Sequence, residues 1–423
     1  DTDRHAEELA ARASAHLRIA GSGSMDRGDI PATVNLLTRA ASLMDSDEPA
    51  IVPVLLDLAM AVAEAGDVND ALTTAERAEE IARAGSDDVL AARAQLYGCF
   101  LGYWGHHGDE SMTASDELAK TSLALFQRAG DLAGEAIAWT IIGSTSWGRC
   151  QAGEADPAWR RAVDLFDAVG DRRMADEYRS WLSSVQVWGP TPCDEALRNL
   201  HEAADSIGDR PMAQMGITSS IATIKLMLGE LDEARVVFED TDRELRERGR
   251  RLVRAHSSQE MGYLELMSGH EEESARILGE GEAELRTMGS DAATIISSMY
   301  ARALYGCGRY DEADEAASRA ITGSRFAASE EALARSVRGM VAARRGSFEE
   351  GERFVREAIA IIDQSDFLCD RADARVALAE VLELAGRRDE AADAAREAIA
   401  LYGRKGNVLQ AGHARERLSS LEP

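Results

Sequence analysis

The sequence of 423 residues is short of several things, and each shortage removes a class of protein. Aromatic residues make up 5% and there are only 8 prolines. That is too little for the strand-and-turn chemistry of a sandwich or barrel, and it suits helices rich in Ala, Leu, Glu and Arg. Lysine is nearly missing: Lys120, Lys225 and Lys405 stand beside 44 arginines. Positive charge is outweighed, 47 Lys and Arg against 75 Asp and Glu, for a formal charge of −28. A body this acidic repels phosphate backbones and anionic headgroups, so neither nucleic acid nor membrane is expected as a direct partner. No apolar stretch reaches the length of a bilayer span, and even Ile51–Ala63 is interrupted by Asp57. The N-terminal DTDRHAEELAARA is charged and has no apolar signal core. The five cysteines, Cys99, Cys150, Cys193, Cys307 and Cys369, are scattered and odd in number, with no Cys-x-x-Cys. They point to free thiols in a reducing cytoplasm rather than to a disulfide or zinc framework.

Catalytic signatures are missing too. There is no Gly-x-x-x-x-Gly-Lys-Ser/Thr, no His-Glu-x-x-His, no Gly-x-Ser-x-Gly and no Asp-rich calcium loop. The expectation is a protein that is not an enzyme and needs no cofactor or metal.

What the chain has instead is self-similarity. An apolar helix, a Gly, two variable residues, one or two acids and a small residue recur as GDVNDA at Gly66, GELDEA at Gly229, GRYDEA at Gly308, GSFEEG at Gly346 and GRRDEA at Gly386. Looser copies are GDIPAT at Gly28, GEADPA at Gly153 and GHEEES at Gly269, with TPCDEA at Thr191–Ala196 lacking the Gly. From Gly229 onward the spacings are 40, 39, 38 and 40 residues, and Gly28 to Gly66 is 38. The Gly ends one helix in a left-handed conformation, and the acids that follow favour the first turn of the next. A second punctuation separates the hairpins, as in AGDLA at Ala129, VGDRR at Val169 and MGSDA at Met288.

Within the units, large and small residues alternate at helical spacing: Leu378, Ala379 and Leu382 before Gly386, then Ala391, Ala395 and Ala398 after it. The Gly308 unit shows Tyr300 and Ala301, then Ala313, Ala317 and Ala320. The Gly66 unit shows Leu58, Ala59 and Val62, then Ala71, Ala75 and Ala78. This pattern resembles the tetratricopeptide repeat, with a longer period, as in the ligand-sensing arms of bacterial signalling ATPases such as the maltose-type activators. The expected fold is all-α: a right-handed superhelical α-solenoid of about ten such hairpins with a period near 39 residues. One array spans 1–423, and residues 104–118 form an inserted loop in the third repeat. An array of this kind is expected to be an elongated, curved particle.

Two end segments narrow the resemblance. Ala6–Asp45 (AEELAARASAHLRIAGSGSMDRGDIPATVNLLTRAASLMD) resembles the start of the helical repeat region of large actinobacterial signalling proteins, and Ala392–Leu418 (ADAAREAIALYGRKGNVLQAGHARERL) resembles its end. Those proteins carry a cyclase or DNA-binding domain and an AAA-type ATPase ahead of the repeats. The resemblance implies that this chain is the C-terminal sensor region of a longer bacterial regulator. It would then take a protein or peptide partner, or a small-molecule effector, in its concave groove, and pass the signal to an upstream ATPase or output domain. The alternative is a free-standing scaffold that binds peptides or proteins.

Candidate sites are few. His106 and His107 lie beside Asp109 and Glu110, a zinc-type set in the inserted segment. Adjacent histidines point apart, and a solvated loop explains them better. Arg243, Arg246, Arg248, Arg250, Arg251 and Arg254 fall within twelve residues. Cations belong near a helix C-terminus, and Asp242, Glu244 and Glu247 stand ready to pair with them. The six tryptophans, Trp104, Trp139, Trp147, Trp159, Trp181 and Trp188, all fall between residues 104 and 188. One reading is that these rings fill wide gaps between irregular units. The other is an aromatic-lined pocket bordered by Tyr103, Trp104, Trp147 and Trp188, with Thr140 and Ser144 nearby. In AWTIIGSTSWGRC the packed face falls on Trp139, Ile142 and Gly143 and turns Trp147 inward. Alignment on Gly153 shifts that phase by three residues.

Overall fold

The computed structural model describes residues 2–102, 109–208, 210–290, 293–323 and 328–422. Among the described residues every regular element is a helix and there is no strand. The helices pair as antiparallel neighbours: α1 (Thr2–Asp26) with α2 (Ile30–Ser42), α3 (Val52–Ala65) with α4 (Val68–Ala84), and α5 (Asp88–Gly102) with α6 (Asp109–Ala129). Next come α7 (Leu132–Gly148) with α8 (Ala152–Val169), α9 (Arg172–Trp188) with α10 (Cys193–Ser206), and α11 (Pro211–Leu228) with α12 (Leu231–Glu247). The short α13 (Arg251–His256) and α14 (Ser258–Met267) together face α15 (Glu271–Thr287). The array ends with α16 (Ala293–Gly306) and α17 (Tyr310–Gly323), α18 (Ala328–Arg344) and α19 (Phe348–Ile362), α20 (Leu368–Leu384) and α21 (Arg388–Lys405), and a last helix α22 (Val408–Leu421).

The repeat punctuation does what its chemistry demands. At Gly66, φ is 96°, a left-handed turn that lets the amide of Gly66 donate back to Ala63 and closes α3. The next residue, Asp67, caps α4 by accepting from the amide of Asp70. Acids then fill the first turns of the second helices, as with Asp311 and Glu312 in α17 and Asp389 and Glu390 in α21. The small residues of the pattern are the contact surface: Ala71, Ala75 and Ala78, Ala313, Ala317 and Ala320, and Ala391, Ala395 and Ala398 are all buried.

In the irregular unit, Cys150 takes the left-handed place of the missing glycine, at φ 55°. The phase is therefore set by Cys150, not Gly153, and Ile142–Gly143 form the large–small pair. A Cβ at Gly143 would lie 2.3 Å from the Trp159 ring, so only glycine admits that ring between α7 and α8. One expectation needs correction: residues 109–118 of the expected loop belong to helix α6, while 104–108 lie outside the described residues. The sequence DESMTASDELA suggests a loop through its polarity, but it supplies Met112 and Ala119 at helical spacing, and both are buried.

The solenoid is not an open arc. Hairpins four or five units apart touch, so one superhelical turn seats on the other. Helix α3 packs on α13, α1 on α9, and α11 on α22. Single apolar cores cross the seam: Phe367 and Ile362 pack with Trp159 and Phe166, and Leu368 and Tyr402 with Val187 and Cys193.

Polar contacts latch the seam at helix ends. Asp366 accepts from the amides of Ala152 and Gly153, both at 2.9 Å, and so caps the N-terminus of α8 from more than two hundred residues away. Lys405, fully buried, donates to the carbonyls of Gln186, Gly189 and Thr191 at 2.9, 2.8 and 2.7 Å, finishing the C-terminus of α9. Arg250 donates to both oxygens of Glu64 at 3.2 and 2.6 Å, tying the start of α13 to the end of α3.

Candidate ligand-binding interior

Helices α9, α11 and α12 and the kinked pair α13–α14 surround a cavity of about 140 Å³. The kink has a local cause. Ser257 Oγ bonds back to the carbonyl of Val253 at 3.0 Å and Ser258 Oγ to that of Ala255 at 2.8 Å, a competition that bends helices.

The wall is dense in hydroxyls: Ser180 and Ser184 from α9, Ser219, Ser220 and Thr223 from α11, Thr241 from α12 and Ser257 at the kink. Trp188, Val187, Met215, Leu245 and Val253 supply apolar surface. Four charged residues complete it: Asp176, Glu177, Arg250 and Glu260. Three of the four have charged partners. Asp176 accepts from Arg179 at 3.0 Å and from Arg210 at 2.5 Å. Arg250 lies between Glu64 and Glu177, the latter at 3.8 Å. Burial opposes its charge, but the two carboxylates outweigh it and hold the guanidinium above its ordinary range.

Glu260 is different. Its Oε2 is buried and has no hydrogen-bond partner. Burial pushes its carboxyl up to about 7, so near neutral pH it exchanges a proton readily. His256, on the preceding turn, is pushed down to about 4 by burial and is neutral at that pH.

Trp188 connects this cavity to a second buried polar group. Its ring meets Tyr263 edge-on at 6.0 Å, and Tyr263 lies in the field of Asp373 and Asp370. Asp370 accepts from Ser329 at 2.9 Å, and Asp373 accepts from the hydroxyl of Tyr402. Burial raises Asp370 and neighbouring Glu330 to about 7 and Asp373 to about 6. Asp370 Oδ2 and Glu330 Oε2 are also buried without a partner. Among the described residues no three His, Cys, Asp or Glu side chains are placed to hold a metal ion.

The expected site residues divide. Trp188 lines the cavity. Trp147 does not: it packs against Trp159 at 5.5 Å, Trp181 at 6.1 Å and Phe367 at 5.1 Å, an aromatic cluster that joins α7, α8 and α9 to the segment before α20. Thr140 is fully buried between α7 and α8, where its carbonyl accepts from the indole of Trp159 at 3.3 Å, so it faces no groove. Ser144 is half-buried and does not line the cavity. Tyr103 and Trp104, together with His106 and His107, lie outside the described residues. The arginine run is paired with acids, only partly the expected ones: Arg246 with Asp242 and Arg248 with Glu244 as expected, but Arg243 with Asp240 and Arg254 with Glu284 on α15.

Sequence reasoning missed Glu260, though a signal existed. It stands nine residues before Gly269, a register that holds Ser220, Met299, Val337 and Ala377 before Gly229, Gly308, Gly346 and Gly386. A carboxylate there is a departure from the repeat. Asp57 occupies the same register before Gly66, and burial raises its carboxyl too, against the pull of Arg18 at 2.7 Å.

Comparison with known proteins agrees with this architecture. Residues 297–319, 332–357 and 372–397 match the family model of the tetratricopeptide repeat. No curated protein matches the chain. Among solved structures, a Rap protein complexed with competence and sporulation factor superposes with a TM-score of 0.60 at 14% identity, covering 88% of this chain and 99% of that one. The human IFIT1 dimer with m7Gppp-AAAA gives 0.49 at 14% identity, covering 99% and 95%. Yeast Tom70 gives 0.40 at 13% identity, covering 96% and 89%. The fold is thus an all-α solenoid of tetratricopeptide-like hairpins, a class typical of interaction scaffolds. No described helix is long and apolar enough to cross a membrane.

Proposed function

We propose that the chain is a non-catalytic sensor, whose interior takes up a small molecule or part of a peptide and whose superhelical turns respond. Arg250 carries this reading. It lines the cavity and also bonds Glu64 across the seam, so an occupant that draws on Arg250 or on its partner Glu177 alters the contact that holds the turns together. A ligand that favours one seam geometry shifts the array toward it, and the shift reaches an ATPase or output domain attached in the parent protein. The structural likeness to a Rap protein complexed with competence and sporulation factor supports a ligand-holding role for such a solenoid. A scaffold without an effector role differs in one respect: its occupant leaves the seam unchanged.

The test is a screen of peptides and metabolites by tryptophan fluorescence, with each hit followed by hydrogen exchange at Ala152 and Gly153. Those amides donate to Asp366 across the seam. A hit that changes their protection supports the sensor. Tight binding with unchanged protection assigns the scaffold.

A further inference from the structure

We infer that the cavity between α9, α11 and α13–α14 is a site for a primary alkylammonium group of side-chain size, with Glu260 as its counter-ion. This rests on the reading of the interior as a ligand chamber and names the chemistry the chamber selects.

Four observations converge. The cavity, about 140 Å³, is close in size to cavities that take up a benzene ring, enough for a butyl chain and its head but not for a folded peptide. Its charge is unbalanced. Arg179 and Arg210 are matched by Asp167 and Asp176, whereas Arg250 faces both Glu64 and Glu177, leaving a carboxylate in excess before Glu260 is counted. Glu260 offers one buried oxygen with no donor, the defect that an incoming cation repairs; a buried polar atom left unpaired is costly. The remaining wall suits an ammonium. Hydroxyls of Ser184, Ser219 and Thr223 can accept its other protons, and Trp188 on the wall gives the alkyl chain apolar surface. A guanidinium, planar and bidentate, fits one free oxygen less well than a three-donor head.

Burial holds the Glu260 carboxyl near neutrality, and an arriving ammonium shifts that balance toward the carboxylate, releasing a proton to solvent. The charged groups facing the site from the surrounding helices are Asp176 and Glu177 on α9 and Arg250 before α13; His256, at the end of α13, stands one turn before Glu260 and is not part of the wall. None of them is an unpaired cation competing for Glu260.

Isothermal titration of the full chain with n-butylammonium at pH 7 tests the site, with butyramide as neutral isostere and Glu260→Gln as the variant, its fold checked by circular dichroism. The expected result is saturable one-to-one binding of butylammonium, with affinity at least ten-fold lower for butyramide and ten-fold lower for Glu260→Gln. A lysine methylamide capped by acetyl, beside its norleucine analogue, separates the sources. Tighter binding than butylammonium assigns a peptide side chain, and weaker binding assigns a free amine. Equal affinity for butyramide, an unaffected Glu260→Gln, or no saturable binding by the wild type overturns the inference. If a screened peptide or metabolite still changes seam protection in Glu260→Gln as in the wild type, the sensor stands and only its ligand chemistry is wrong.

Discussion

Glu260 and Lys405 show how single residues in this array depart from the repeat. Glu260 has a carboxyl raised from 4.5 to about 7 by burial, so the folded state binds a proton more tightly than the unfolded chain. Stability from this group is complete below about pH 4.5 and is lost as pH rises through 7. Glu260→Gln removes that loss. The variant is expected to match the wild type at pH 5 and to exceed it at pH 8, by roughly 1–3 kcal/mol from the pKa difference. Urea denaturation at the two pH values checks this, and an equal difference at both contradicts it. Lys405 is one of three lysines in the chain, and it is fully buried against three backbone carbonyls. Burial pushes its ammonium down, yet the carbonyls of Gln186, Gly189 and Thr191 have no donor without it. Lys405→Met keeps the volume and removes the donors. The expected cost is about 2–4 kcal/mol for stranded carbonyls, measured by chemical denaturation, and a loss below 1 kcal/mol would contradict the role.

At the scale of the element, much of the fold was legible because the signals are local. Glycine at the end of a helix, acids in the next first turn and alanines along the contact face each act within one hairpin, and each is found in place at Gly66, Asp389 and Ala313. The turn at Cys150 was harder, since nothing in a cysteine announces a left-handed backbone. The seam was not legible at all. That Asp366 caps α8, or that Phe367 meets Trp147, depends on how the small rotations of the intervening hairpins add up, and no local pattern encodes the sum. For the same reason the tryptophan-rich stretch was only partly informative: Trp188 lines the cavity, whereas Trp147 serves the seam. Glu260 lies in a unit without tryptophan, and its only sequence mark is a carboxylate in a register that elsewhere holds Ser220, Met299, Val337 or Ala377.

Two substitutions probe this scale. Asp366→Ala leaves the first amides of α8 without their cap, and the loss expected of an N-cap is about 1–2 kcal/mol. Hydrogen exchange should rise at Ala152 and Gly153 and remain unchanged within α4; uniform acceleration would mean general destabilisation instead. Gly143→Ala forces a methyl into the Trp159 ring, and overpacking of this kind costs about 1–3 kcal/mol. A thermal melt at wild-type temperature would show that α7 and α8 separate more freely than their contact implies.

For the whole molecule, closure of one superhelical turn on the next changes what a repeat array means here. An open solenoid offers a long groove. This one encloses a polar interior behind a seam of apolar cores and three polar latches, and in the proposed sensor occupation of the interior and the geometry of the seam are linked where they share a residue. Arg250 is that residue, lining the cavity and bonding Glu64. Asp70 on α4 and Thr287 on α15 are both exposed and flank the place where the amide of Val68 donates to the carbonyl of Met288 across the seam. The distance between spin labels at those two positions is the direct readout of closure. It is expected to shift when a compound that changes tryptophan emission is added, and to shift the same way without any compound in Arg250→Gln. A distance distribution unchanged in both cases would contradict the coupling of interior and seam.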